Sequence, residues 1–176
     1  ESALLNPNRN GARNTLEMEK HLMEGLGADS VLWLRHGLVS DDTDGHVDNI
    51  ARFFSSKGIL IATVSDTEDP NFQNLSENAY RAMEFCSSSK APFTFVELPL
   101  PAPIKHQGEL LTASYLNYMI LNGAVLVPTY DQPSADAKAL KIIEGCFPGR
   151  EIIGVDCRDI IKEGGALHCM SLHQPS

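Results

Sequence analysis

The 176-residue sequence predicts an α/β fold assembled from a repeated helix–strand unit. Three observations carry that prediction. Helical and strand-like periodicities alternate along the chain. The predicted helices open near positions 14, 76 and 134, a period of roughly sixty residues. Each is followed by short apolar or alternating runs bounded by Gly, Pro, Asn and Asp, the punctuation of strands and turns.

The elements follow in order. Asn14 to Gly25 reads as a helix that Asn14 or Thr15 can cap and that Gly25 and Gly27 stop. Val31-Leu32-Trp33-Leu34 reads as a buried strand. Val47 to Phe54 and Ile59 to Val64 read as a strand pair around the turn Ser55-Ser56-Lys57-Gly58. The order restarts with a helix from Ser76 to Phe85 and a strand from Phe93 to Leu98 that ends at Pro99. Ala113 to Leu121 and Ala124 to Val127 form a second pair around Asn122-Gly123, a strong two-residue hairpin signal. A third copy has a helix from Ser134 to Gly145 and strands over Glu151 to Val155 and Ala166 to Leu172. The chain thus divides into repeats at approximately 1–66, 67–131 and 132–176 within a single domain. Without the repeat, a generic alternation of helices and strands gives the same order.

Composition narrows the function classes. With 43% hydrophobic and 21% charged residues, the chain has ordinary globular composition. Its formal charge of −9 argues against generic binding to nucleic acid or to an anionic membrane. No apolar run approaches the roughly 18 residues that a bilayer requires. Cys86, Cys146, Cys157 and Cys169 match neither a CxxC zinc pattern nor a compact disulfide framework, and no secretory signal is visible. Reduced thiols and a cytoplasmic location follow as the expectation. The chain opens on Glu1, not Met, in what reads as the middle of a strand, which suggests a processed start or a piece of something longer.

Two stretches carry chemistry. Asp41-Asp42-Thr43-Asp44-Gly45-His46-Val47-Asp48-Asn49 packs four carboxylates and a histidine into nine residues. Such carboxylates repel one another and call for a metal, a basic side chain or a cationic substrate. A solvated acidic loop is the plainer alternative. On a strand, His46 and Asp48 would share a face. Gly164-Gly165-Ala166-Leu167-His168-Cys169 delivers a thiol from a flexible loop. His168 and Cys169 would face opposite ways on a strand, which makes His46 the better partner for the thiol. His168, Cys169 and His173 could instead ligate a metal, but no second Cys or His pair supports that. If the copies surround an axis, equivalent strand starts converge, and His46, Asp48 and Cys169 meet although over 120 residues separate them.

The stretch Asp42 to Asn49 and the ending His168-Cys169-Met170-Ser171-Leu172-His173-Gln174-Pro175 resemble two signature stretches of the agmatine deiminase family. That family also holds the bacterial-type peptidylarginine deiminases. Leu5 to Asn10, Trp33-Leu34 and Phe147-Pro148-Gly149-Arg150 resemble it too, in order over nearly the whole chain. The resemblance implies the pentein fold, a five-bladed pseudo-symmetric α/β propeller, of which this chain holds about three repeats. It implies hydrolysis of a guanidinium group, as in agmatine to N-carbamoylputrescine and ammonia on the route to polyamines. Peptidyl-arginine deimination is the alternative.

In that scheme Cys169 attacks the guanidinium carbon to form a covalent amidino adduct. His46 protonates the leaving ammonia and then activates water, and Asp48 holds the guanidinium. Asp42 and Asp44 add carboxylates for the cation. No metal or other cofactor is implied. Where the family often has Gly-Gly-Gly-Asn-Ile-His-Cys this sequence has Gly164-Gly165-Ala166-Leu167-His168-Cys169, which lacks the amide, and Asp42 stands where many members have Glu. The family's second guanidinium-binding carboxylate and an active-site Trp lie in an N-terminal part outside this chain. The expected partners are therefore a small guanidino substrate and either the missing N-terminal segment or a second copy. A non-catalytic remnant that only binds cations is the competing expectation.

Overall fold

The computed structural model describes residues 1–10, 14–88 and 93–172. Its helices are α1 (Pro7–Asn10), α2 (Thr15–Leu26), α3 (Phe72–Ser88) and α4 (Pro133–Cys146). Its strands are β1 (Ala51–Ser55), β2 (Gly58–Thr63), β3 (Thr94–Pro99), β4 (Lys105–His106), β5 (Glu109–Leu110), β6 (Met119–Ile120), β7 (Ala124–Thr129) and β8 (Glu151–Asp156). Short 3-10 turns occupy Val47–Asn49 and Ile160–Glu163.

Two sheets share one plan. In the first, β1 pairs antiparallel with β2, and β2 pairs parallel with β3 after the crossover through α3. In the second, β6 pairs antiparallel with β7, and β7 pairs parallel with β8 after the crossover through α4. Each central strand reads as a near-continuous apolar run because a helix or loop covers each of its faces. Ile59, Leu60, Ile61 and Ala62 of β2 are all buried, and so are Val125 and Val127 of β7. One apolar cluster joins the two units and includes Leu60, Leu75, Leu98, Leu116, Val125, Ile143 and Ile161.

In both sheets the chain order is hairpin, helix, strand. The helix-first division places its boundary near 66 inside the first sheet, between β2 and α3.

The three longer helices lie close to their expected bounds. The Asn14 Oδ1 accepts from the Glu17 amide at 2.9 Å, and Gly27 closes α2 in the left-handed conformation. α3 starts four residues earlier than Ser76, after the Asp69-Pro70-Asn71 turn. Pro133 occupies the first turn of α4, where its missing N–H costs nothing.

Two expected strands are absent, and two others are shorter than expected. Val31–Leu34 is irregular, so α2 is not followed by a strand. Its neighbouring segment is held by side-chain amides of α3 and of the turn before it. Asn78 Oδ1 accepts from the Arg35 amide at 2.8 Å while Asn78 Nδ2 donates to the His36 carbonyl at 2.6 Å. Asn71 Oδ1 accepts from the Val39 amide at 2.8 Å. Asn78 sits in the buried stripe of α3 with Leu75, Ala82 and Cys86, and its amide does there what a neighbouring strand would do.

The expected strand over Ala113–Leu121 shrinks to Met119–Ile120. Residues 112–118 are buried but irregular. Their polar groups are met by side chains: the Tyr130 hydroxyl accepts from the Ser114 amide at 3.0 Å and donates to its carbonyl at 3.1 Å. The Ser114 hydroxyl donates to the Asn49 carbonyl at 2.8 Å. Ala166–Leu172 is a turn, and Val47–Asn49 is a 3-10 turn instead of a strand start. The alternating-face argument for His46 with Asp48, and for His168 against Cys169, therefore fails. No helix among the described residues is long and apolar enough to cross a membrane.

Candidate active site

The acidic run is organised by its own hydrogen bonds. Asp41 accepts from the Thr43 amide at 2.9 Å, the His46 amide at 3.0 Å and the Asn49 side chain at 3.4 Å, and also from the Thr43 hydroxyl. Asp41 thus folds the loop by local side-chain to backbone bonds. At the crossing point with residues 36–38, Gly37 and Gly45 lie so close that a Cβ on Gly37 would sit 2.1 Å from the Gly45 Cα. Asp44 pairs with Arg9 at 3.4 Å. Asp42 is exposed and lies against Gly164, at the start of the thiol loop. The carboxylates are therefore spread over different partners, which relieves the repulsion expected of a cluster.

Asp48 is the carboxylate that reaches the thiol. The Cys169 Sγ donates to Asp48 Oδ2 at 3.5 Å, and the His168 Nδ1 contacts the same oxygen at 2.6 Å. The other oxygen, Asp48 Oδ1, is buried with no hydrogen-bond partner among the described residues. Gly165 makes the thiol's position possible, since a Cβ there would lie 2.7 Å from the Cys169 Cβ.

Asn117 completes the constellation, and the sequence did not point to it. It is fully buried. Its Nδ2 donates to Cys169 Sγ at 3.1 Å, Asp48 Oδ2 at 3.3 Å and Asn49 Oδ1 at 2.9 Å. Its Oδ1 accepts from the backbone amides of His168 at 2.9 Å and Cys169 at 3.2 Å. One amide thus ties together the end of the acidic loop and both residues of the thiol turn. The available signal was a polar residue inside the apolar run Tyr115-Leu116-Asn117-Tyr118, because a buried amide needs partners that such a run does not supply.

The ring of His46 forms no hydrogen bond with Asp48 or Cys169. It caps the 3-10 turn through its backbone and is half-buried. Asp48 and Cys169 are thus brought together as expected, with His168 beside them, while Asp44 is engaged by Arg9. His173 lies outside the described residues.

Burial pushes the Cys169 thiol up from its ordinary value, the Asn117 amide works against that, and the Asp48 carboxylate adds to it. The unliganded site thus favours the thiol over the thiolate. The other cysteines are poorer nucleophiles by position: Cys86 and Cys157 are buried and Cys146 half-buried. Burial pushes Cys157 up to about 11.

A sequence profile of the Porphyromonas-type peptidyl-arginine deiminases matches residues 1–175. An agmatine deiminase of Pseudomonas aeruginosa is 34% identical over 195 residues, which cover 100% of this chain and 52% of that protein. A substrate-bound C. jejuni agmatine deiminase with a Cys-to-Ser change superposes with a TM-score of 0.87 at 32% identity, over 95% of this chain and 48% of its own. A solved Porphyromonas gingivalis structure gives a TM-score of 0.88 at 41% identity, over 96% of this chain and 50% of its own. The chain spans about half the length of the relatives it matches. With residues 1–175 matched by the profile and a carboxylate, an amide and a thiol converging on one point, the chain belongs to the Porphyromonas-type peptidyl-arginine deiminase family.

Proposed function

We propose that this chain carries the thiol half of a guanidinium hydrolase, with agmatine as substrate and N-carbamoylputrescine and ammonia as products. The observation that carries this is the unspent oxygen of Asp48, buried and without a donor, on a carboxylate whose other oxygen is 3.5 Å from the exposed thiol. A guanidinium supplies planar N–H donors suited to a carboxylate, and its carbon would then lie beside the sulfur.

The chemistry proceeds in two halves. The Cys169 sulfur attacks the guanidinium carbon, the tetrahedral adduct expels ammonia, and an amidino-thioether remains on the enzyme. Water then attacks the same carbon, the thiolate leaves, and a substituted urea is released. The raised thiol fits this sequence: the arriving cation favours the thiolate that the empty site disfavours. The Asn117 amide holds the sulfur during both halves. His46 carries the proton to the leaving ammonia and later from the water, as the resemblance implies. The contact between His168 Nδ1 and Asp48 favours a second assignment, in which His168 carries that proton. Asp42 and Asp44 supply negative potential at the mouth.

The two sheets of one plan support the pentein propeller. The remaining half of the relatives' length would close the pocket, either from a segment upstream or from a second copy. Peptidyl-arginine is the alternative substrate, supported by the family's description.

Ammonia release from agmatine tests the proposal, with Cys169→Ala, His46→Ala and His168→Ala compared. The expected result is turnover that Cys169→Ala lowers by about a thousandfold or more. Turnover that survives Cys169→Ala contradicts the thiol mechanism. The histidine whose loss removes the acidic limb of the pH–rate profile is the proton carrier.

A further inference from the structure

Arg52 is a partly buried guanidinium on β1, four residues beyond Asp48. Its Nη1 donates to the carbonyls of Tyr118 at 3.1 Å and Leu116 at 3.3 Å. Those two carbonyls flank Asn117. Its planar head also lies over the Tyr118 ring, 4.5 Å from the centroid, the geometry of a cation–π contact. Among the described residues no carboxylate comes within 4.0 Å of it. An arginine placed this way gives its donors to main chain and keeps its charge uncancelled by a direct ion pair.

The segment it grips needs a grip. Residues 112–118 lack strand pairing and are buried, so their conformation depends on side chains that reach them. Tyr130 holds Ser114, and Tyr115 donates to Asp136 at 2.7 Å. Neither of those touches the peptide groups on both sides of Asn117. Arg52 does. A displacement of that backbone moves the Asn117 amide, and with it the 3.1 Å contact to Sγ and the bonds to His168 and Cys169.

We propose that Arg52 is a positioning residue: it clamps the backbone around Asn117 and so keeps that side-chain amide on the Cys169 sulfur. The proposal rests on Cys169 being the nucleophile. Burial pulls the Arg52 guanidinium down, while Tyr118, Asp48 and Cys169 all pull it back toward the charged form. The Asn117 donor that Arg52 holds in place favours the thiolate, so its displacement raises the thiol. The other groups that Cys169 faces are Asp48 and Tyr130, the latter held neutral by burial, with His168 bonded to Asp48.

The test is the pH dependence of alkylation of the whole chain by iodoacetamide, read cysteine by cysteine from peptide masses. It requires no turnover. Arg52→Gln keeps an amide donor without charge, and Arg52→Lys keeps charge without the planar fork. Cys86 and Cys157 are buried and report any general loosening. Arg158→Met, which removes an exposed guanidinium paired with Asp131 and Asp156, is the control and leaves the Cys169 midpoint unchanged.

In Arg52→Gln the Cys169 midpoint rises by about one pH unit, a tenfold loss of thiolate at fixed pH, with Cys86 and Cys157 still protected. Arg52→Lys stays within about half a unit of wild type. A wild-type midpoint in the Gln variant overturns the proposal. Should the Gln variant expose Cys86 and Cys157, the Lys variant decides alone, and a Lys midpoint raised beyond that half unit overturns it. Failure of the hydrolase assignment shows separately, as absent ammonia release with the alkylation series intact.

Discussion

At the scale of residues, the site is one amide joining a carboxylate to a thiol. Asn117 makes five side-chain hydrogen bonds that span three segments. Truncating it removes the donor to sulfur and leaves the Cys169 amide short of an acceptor, while the His168 amide keeps the Asn117 main-chain carbonyl at 3.1 Å. Asn117→Ala is expected to raise the alkylation midpoint of Cys169 and to lower agmatine turnover by about a hundredfold, the cost of one lost preorganised donor. Asp48→Asn acts differently. It keeps the shape but removes the negative charge that would hold a cation, so KM for agmatine rises steeply. It also removes the charge that pushes the thiol up, so the Cys169 midpoint falls. Steady-state kinetics and alkylation of the same two variants check these opposite shifts, and equal directions would contradict the assigned roles.

At the scale of elements, amide side chains stand in for missing strands. Asn78 is fully buried in α3 and satisfies both the Arg35 amide and the His36 carbonyl. Asn78→Leu suits the apolar stripe by volume but leaves two backbone groups unpaired. The expected loss is about 2–4 kcal/mol, measured by urea unfolding. Asn14→Ala removes a cap from a helix whose Leu16 and Leu26 are exposed, and costs only about 1 kcal/mol.

This substitution of side chains for strands also explains what was legible beforehand. The Ile59–Ala62 run, the Asn122-Gly123 turn and the three longer helices follow from periodicity and punctuation, and they stand where expected within a few residues. Val31–Leu34 and most of Ala113–Leu121 are apolar too, and apolarity alone cannot distinguish a buried strand from a buried loop. Asn71, Asn78 and Asn117 decide which it is, and an amide aimed at a distant backbone has no period. The thiol was legible because Gly164-Gly165 and His168-Cys169 are distinctive. Its neighbour Asp48 was legible, but by a strand-face argument that the 3-10 turn removes.

At the scale of the whole molecule, two units of the same plan meet along an irregular buried segment. Residues 112–118 touch the first unit through Asn49 and Arg52 and the second through Tyr130 and Asp136. The site lies on that seam, which is why its residues come from positions 48, 117 and 169. Tyr130→Phe removes the hydroxyl that serves both Ser114 groups, leaving the buried Ser114 N–H unpaired while its carbonyl keeps the Asn117 amide at 3.2 Å. A loss of about 2 kcal/mol, or roughly 5 °C in Tm, is expected. Because the seam carries Asn117, the same variant should also slow Cys169 alkylation, whereas an equally destabilising change in α2 should not. Scanning calorimetry beside peptide-resolved alkylation separates the two.

The most direct test of the central claim is to quench the chain during incubation with agmatine and weigh the peptide that contains Cys169. The predicted result is a gain equal to the amidino group with its aminobutyl tail, on Cys169 alone, that disappears as ammonia and the urea product accumulate. Ammonia release with Cys169 unmodified at every time point and still fully alkylatable would contradict it.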